Sequence, residues 1–228
     1  MLDIVYEDNH ILVVIKPQNI PTQSDISGDT CMVDMVEKYI RETYNKPGNV
    51  YVGLVHRLDR PTGGLMVFAK TSKSAKRLSE SIKTPDFEKR YLAVCNGKMS
   101  GGATLKNYLK KNVRTNMVSV VPETSDGAKM AELTYKVLET KEKVSLVDVV
   151  LATGRSHQIR VQLKHIGNPI YGDVRYGGDI LAKGHNLALW AYKLRFVHPT
   201  TQKIMSFVAF PPEDKVPWSS FNLNSVKA

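Results

Sequence analysis

The sequence predicts an α+β fold with a large, mainly antiparallel sheet flanked by a few helices. Short strand-like runs outnumber helical segments, and the two do not alternate in the regular manner of a parallel α/β protein. No low-complexity tract, flexible linker or solenoid-length repeat interrupts the 228 residues, so one domain over residues 1–228 is expected.

The elements follow in order. Ile4-Val5-Tyr6 reads as a strand, Asp8-Asn9 as a turn, and Ile11 to Ile15 as a buried strand stopped by Lys16-Pro17. Asp29-Thr30 supplies a cap for a helix over Cys31 to Tyr44, with Met32, Met35, Val36 and Ile40 on one face. Gly64 to Lys70 is a short apolar strand, and Thr71-Ser72 begins a basic amphipathic helix to about Ile82. Arg90 to Val94, Ala131 to Leu138 and Val144 to Leu151 read as strands. Ser156 to Ile166 has helical spacing, with Ile159, Leu163 and Ile166 aligned. Strand signals resume at Leu187 to Arg195 and at Ile204 to Phe210, before Pro211-Pro212.

The charge is one-sided: 32 Lys and Arg against 22 Asp and Glu give a formal +10. That excess favours a polyanionic partner, because each neutralised phosphate releases condensed counterions. Between Lys98 and Val121 five basic residues (Lys98, Lys106, Lys110, Lys111 and Arg114) occur without one acid. This segment reads either as a hairpin that reaches for phosphates or as an edge hairpin protected by lysines. No apolar run exceeds six residues, which excludes a helical membrane span. The acidic first ten residues do not resemble a secretory or transit leader. Two distant cysteines, Cys31 and Cys95, argue against a disulfide framework and a zinc site, and point to a reducing, cytoplasmic setting.

The chemistry concentrates in His56-Arg57-Leu58-Asp59-Arg60-Pro61-Thr62-Gly63-Gly64-Leu65-Met66-Val67-Phe68-Ala69-Lys70. It places one carboxylate between two guanidiniums on a loop that meets an apolar strand through two glycines, which let another backbone come close. The segment resembles the signature of pseudouridine synthases of the RluA type. Ten positions match: His56, Arg57, Leu58, Asp59, Arg60, Thr62, Gly64, Leu65, Ala69 and Lys70, while Gly63 stands where that family usually has Ser. Lys16-Pro17 resembles its early element, although Asn19 and Gln23 stand where Gly and His are common. Lys89-Arg90-Tyr91-Leu92-Ala93 resembles the second element, and Gly154 to Val161 continuing to Asp173 the third, with Gln162 for a frequent His.

The resemblance implies a single catalytic domain of the pseudouridine-synthase type, without the amino-terminal RNA-binding module of some relatives. It implies isomerisation of uridine to pseudouridine in ribosomal or transfer RNA, by a cytoplasmic monomer needing no cofactor and no metal. Asp59 is implied as the catalytic carboxylate. A closed pocket disfavours its ionised form and a neighbouring guanidinium restores it, a role that falls to Arg160. Tyr91 is implied as the residue that stacks on the extruded uracil and assists proton removal from C5. Arg57, Arg60 and Arg155 are expected to contact the RNA, and Ile159 to pack beneath the uracil. Arg60 serves equally well to order its loop. His56 and His157 read as hydrogen-bonded structural histidines rather than general bases. Two other readings stand beside the synthase: an RNA-binding protein on the same fold with dispensable catalysis, and a glycosidase that excises the base.

Overall fold

A computed structural model describes residues 2–177, 184–223 and 226. In chain order the elements are β1 (Asp3–Glu7), β2 (Ile11–Lys16), α1 (Met32–Thr43), β3 (Gly53–Leu54), β4 (Gly63–Ala69), α2 (Ser72–Ser81), β5 (Glu88–Asn96), β6 (Gly102–Asn112), β7 (Met117–Val121), β8 (Lys129–Thr140), β9 (Val144–Leu151), α3 (Gln158–His165), β10 (Leu189–Val197) and β11 (Ile204–Val208), with a single 3-10 turn at Trp218–Ser220. Every pairing with a described register is antiparallel. Among the described residues, eleven strands against three helices make this the expected α+β architecture. No described helix is long and apolar enough to cross a membrane.

The chain divides into two compact units. The first comprises residues 1–89 and 191–209, and its strands run in the order β1-β2-β4-β10, with β3 on β4 and β11 on β10. All seven residues of β4 are buried, which is why its sequence is continuously apolar rather than alternating. Its core joins Ile11 and Val13 of β2, Leu65 and Val67 of β4, Leu78 of α2, Phe87, and Leu194 and Phe196 of β10. The helix α2 starts where the sequence puts it, because Thr71 Oγ1 accepts from the Ser74 N–H. The start of α1 differs from the expected Asp29-Thr30 cap. Cys31 is the capping residue, and Asp34 accepts its N–H at 2.9 Å. Asp29 is drawn instead to Arg60, thirty-one residues away.

The second unit comprises residues 90–190 and 210–228, with strands in the order β5-β9-β8-β6-β7. Its helix α3 packs on the β6–β7–β8 sheet, closing a core of Leu109, Val118, Ala131, Val161 and Tyr176. That helix begins at Gln158, two residues later than the expected Ser156. His157 adopts the left-handed conformation (φ 53°), which cannot continue a right-handed helix. The Lys98 to Val121 segment forms the expected hairpin, as β6 and β7.

Candidate active site

In the first unit, the signature loop between β3 and β4 is held from one side by residues 16–22. The Thr22 hydroxyl donates to the Leu58 carbonyl at 2.8 Å and accepts the Leu58 N–H at 3.3 Å. Gln18 Nε2 donates to the Pro61 carbonyl at 3.0 Å. Lys16 Nζ donates to the carbonyls of Pro17 (2.9 Å), Ile20 (2.7 Å) and Arg60 (3.0 Å). These bonds grip the residues on both sides of Asp59, whose own carbonyl accepts the Thr62 N–H at 2.9 Å. Asp59 is therefore set on a loop whose backbone is fixed, with its side chain half-buried.

Lys16 is fully buried. Burial brings its pKa down to about 7 against the attraction of the Asp59 carboxylate, with Arg60 adding to the fall. An ammonium with three hydrogens meets three carbonyl oxygens, so its hydrogen-bonding capacity is filled. The sequence marks Lys16 only as part of a motif. A lone lysine before a proline carries no sign that its side chain turns inward.

The two arginines of the loop diverge. Arg57 is exposed. Arg60 is committed to its own surroundings: it donates to the Asn19 carbonyl (3.2 Å) and to Ser27 Oγ (3.0 Å), pairs with Asp29, and lies 3.7 Å from Asp25. Its guanidinium thus orders residues 19–29. His56 is buried, and its Nε2 accepts the Val67 N–H at 3.0 Å. Burial, with the Lys89 charge adding to it, pulls its pKa down to about 3, so it is a neutral anchor between loop and β4. Gly64, at φ 118°, allows the Ala191 backbone to come so close that a Cβ would sit 2.3 Å from the Ala191 oxygen.

In the second unit, Tyr91 lies on β5 opposite Val149 and is 5 % exposed. Arg160, in the first turn of α3, is equally buried rather than a surface helix charge. Its Nε and Nη2 donate to the two oxygens of Asp173, both at 2.7 Å, in a forked pair. Asp173 Oδ1 also accepts the N–H groups of Arg175 and Tyr176, each at 3.1 Å. The Tyr176 ring lies against the Arg160 guanidinium, 5.0 Å from centroid to Cζ. Its hydroxyl accepts the Val118 N–H at 2.9 Å and lies 2.7 Å from His157 Nδ1. Burial pushes the Tyr176 phenol up, keeping it protonated. The α3 start is fastened again by Gln158, whose Oε1 accepts from Thr153 Oγ1 and the Arg155 N–H. Ile159 is buried, while Arg155 is exposed and donates through Nε to the Met130 carbonyl at 2.9 Å. Asp173, Tyr176 and Gln158 are positioning residues to which the sequence reading gave no role. Asp173 was visible only as the last residue of the third motif.

The family model for RNA pseudouridylate synthase matches residues 10–165. Ribosomal large subunit pseudouridine synthase D of Yersinia pestis is 35% identical over 231 residues, covering 94% of this chain and 69% of that protein. An uncharacterized RNA pseudouridine synthase of Bacillus subtilis (strain 168), YhcT, is also 35% identical, over 94% of this chain and 70% of its own length. Among solved structures, human RNA Pseudouridylate Synthase Domain Containing 4 shares the fold, with a TM-score of 0.78 at 22% identity over 99% of this chain and 93% of that one. The loop that carries Asp59, the strand that carries Tyr91 and the helix that carries Arg160 all lie inside the matched span, and the chain belongs to the RNA pseudouridylate synthase family, the isomerases that turn uridine in RNA into pseudouridine.

Proposed function

We propose that this chain isomerises specific uridines of structured RNA, ribosomal or transfer RNA, with Asp59 as the catalytic carboxylate. The observation that supports Asp59 is the clamp on its loop, above all the buried Lys16 ammonium that bonds the Arg60 carbonyl and attracts the Asp59 carboxylate. The relatives named for a target act on the large ribosomal subunit, which makes large-subunit ribosomal RNA the first substrate to try.

In the reaction the N1–C1′ bond breaks, the uracil turns, C5 bonds to C1′, and the C5 proton leaves while N1 takes up a proton, so that product and substrate are isomers. A stacked uridine must be extruded first, at a cost of a few kcal/mol. Asp59 either attacks C1′ or removes the C2′ proton; both roles need the ionised carboxylate. Tyr91 stacks on the extruded base and takes part in removing the C5 proton. Arg160, held by Asp173, supplies the cation that favours the Asp59 anion. Ile159 packs beneath the uracil, Arg57 occupies the space left by the base or holds its phosphate, and Arg155 holds backbone phosphate. Residues 1–228 act as one catalytic domain, a cytoplasmic monomer that uses no metal or cofactor.

Each turnover frees the hydrogen at C5, so RNA carrying tritium at uridine C5 reports the reaction. The wild-type protein is expected to release tritium from a large-subunit ribosomal RNA transcript. Asp59→Asn is expected to release none while binding the transcript within a few fold of wild type. Undiminished release by that variant would remove Asp59 from the mechanism, and free uracil as the product would replace the isomerase with a glycosidase.

A further inference from the structure

We infer that the end of the β6–β7 hairpin is an arm that grips the sugar–phosphate backbone of RNA outside the catalytic pocket. This rests on RNA being the substrate, and it adds a second binding surface to that reading. The register shows where the arm begins. β8 pairs with β6 from Gly102 to Leu109, whereas Lys110 to Asn112 pair with Ser119 to Met117 alone. The end of the hairpin is therefore a two-stranded ribbon reaching past the β8 edge.

A bare two-strand ribbon is marginal in water, yet this one is braced. Tyr176 takes the Val118 N–H, and Arg175 Nη1 donates to the Asn116 carbonyl at 3.0 Å. Asn112 Oδ1 closes the turn by accepting the N–H groups of Arg114 (3.0 Å) and Thr115 (3.2 Å), and Asn116 takes the left-handed φ of 54° that the turn requires. At the base, Leu109 and Val118 pack with Val161 and Tyr176. The arm is held in a fixed shape, as a preformed binding surface must be.

Its charges are available. Lys110, Lys111 and Arg114 are exposed, and among the described residues none of them has a carboxylate within ion-pair distance. Lys106, lower on the same strand, is by contrast neutralised by Glu132 at 3.2 Å. Arg175, exposed and bonded to the turn, adds a fourth cation. A hollow of about 430 Å³ lies between Lys110, Lys111, Asn112, Val113, Ser119 and Val121. Val113 stands 88% exposed at the tip, an apolar surface for a ribose or base edge.

Edge protection does not account for this pattern. Past Leu109 both strands of the ribbon are open edges, and lysines that block edge-to-edge pairing would be expected on each, yet β7 (Met-Val-Ser-Val-Val) carries no charge at all. Lys110, Lys111 and Arg114 all fall on β6 and the turn, a one-sided placement that suits a ligand better than protection of two edges. Two lysines lining a hollow, with Arg114 in the adjoining turn and Arg175 bonded to that turn, fit a chain of phosphates.

The test is the Lys110→Ala/Lys111→Ala/Arg114→Ala variant, with Lys111→Glu as a single change that removes no packing. Affinity for a large-subunit ribosomal RNA transcript is expected to fall about tenfold, and the slope of log K against log salt to become shallower by about two. The tritium-release rate at saturating transcript is expected to stay within twofold of wild type, and Lys110→Arg/Lys111→Arg to keep wild-type affinity. Unchanged affinity and salt slope in both the triple variant and Lys111→Glu, with an active wild-type protein, overturn the arm and leave the synthase standing. Weakened binding by the variants, with a wild-type protein that releases no tritium from any RNA, leaves the arm and overturns the synthase.

Discussion

The ammonium nitrogen of Lys16 lies 3.0 Å from the carbonyl oxygen of Arg60, so a buried charge at the end of β2 holds the residue that directly follows Asp59. Forty-four residues separate the two partners in the chain. The bond ties the signature loop to the first unit's sheet at the one place where the backbone must not move.

Replacing Lys16 by Met keeps the apolar stem and removes the charge. Three carbonyls then lose their donor, at about 1–3 kcal/mol for each one left buried and unpaired. Tritium release is expected to fall at least a hundredfold, with transcript affinity unchanged within a few fold. The charge also makes stability depend on pH. The folded pKa of about 7 lies below that of the unfolded chain, so between about pH 7 and 10 the unfolded state holds the additional proton. Folding stability should rise through that window, by about 2 kcal/mol from pH 7 to pH 9. Urea unfolding of wild type and Lys16→Met at the two pH values checks this; a gain of equal size in both proteins would locate the effect elsewhere.

The Arg160–Asp173 fork is a buried pair, and such pairs are more costly to break than to replace. Asp173→Ala is expected to destabilise the protein by about 3–5 kcal/mol, because it leaves the Arg160 guanidinium buried without its counter-ion. Asp173→Asn keeps one acceptor, should fold, and should lower the turnover rate at saturating RNA by more than tenfold with little change in KM. A pair that served only stability would move the melting temperature and leave turnover of the folded Asn variant alone.

His56 binds its proton in the opposite window from Lys16. Its folded pKa of about 3 lies below the unfolded value, so the unfolded chain takes up the proton as pH falls from about 6.5. The stability that neutral His56 contributes is complete above about pH 7 and is lost progressively toward pH 3. His56→Gln can still accept from the Val67 N–H but does not titrate, and its melting temperature should fall less than that of wild type between pH 7 and pH 4.5. The same neutrality means that no inflection near pH 6.5 in the tritium-release profile should disappear when His56 is replaced by Gln.

What the sequence shows and hides follows the range of the interactions. The bounds of α2 and β9 are legible because a Thr cap and a short run rich in β-branched apolar residues are local. The strand β6 is hard to read because Asn107 breaks its inward apolar row between Leu105 and Leu109, and β3 is only two residues long. The cap of α1 was misplaced because Asp29 answers to Arg60, far along the chain, and not to its own helix. Asp59, Tyr91 and Arg160 were visible through motif resemblance. Their supports were not, since nothing local announces that Lys16 turns inward or that Asp173 meets Arg160 thirteen residues away.

Gly64 offers the sharpest packing test. It combines a φ of 118° with the Ala191 backbone in the space a side chain would need: a Cβ would lie 2.3 Å from the Ala191 oxygen and 2.6 Å from its nitrogen. Gly48 has a similarly positive φ of 83° but nothing within 4 Å of where a Cβ would point. Ala at position 48 therefore meets backbone strain alone and should cost about 1 kcal/mol. Ala at position 64 meets the same strain and must also push apart β4 and β10, the central strands of the first unit. Its cost should exceed about 4 kcal/mol, the range reserved for a disrupted core. Urea unfolding of the two variants side by side measures the difference. Equal destabilisation would mean that the β4–β10 approach yields easily, and that Gly64 is needed for its backbone angle only.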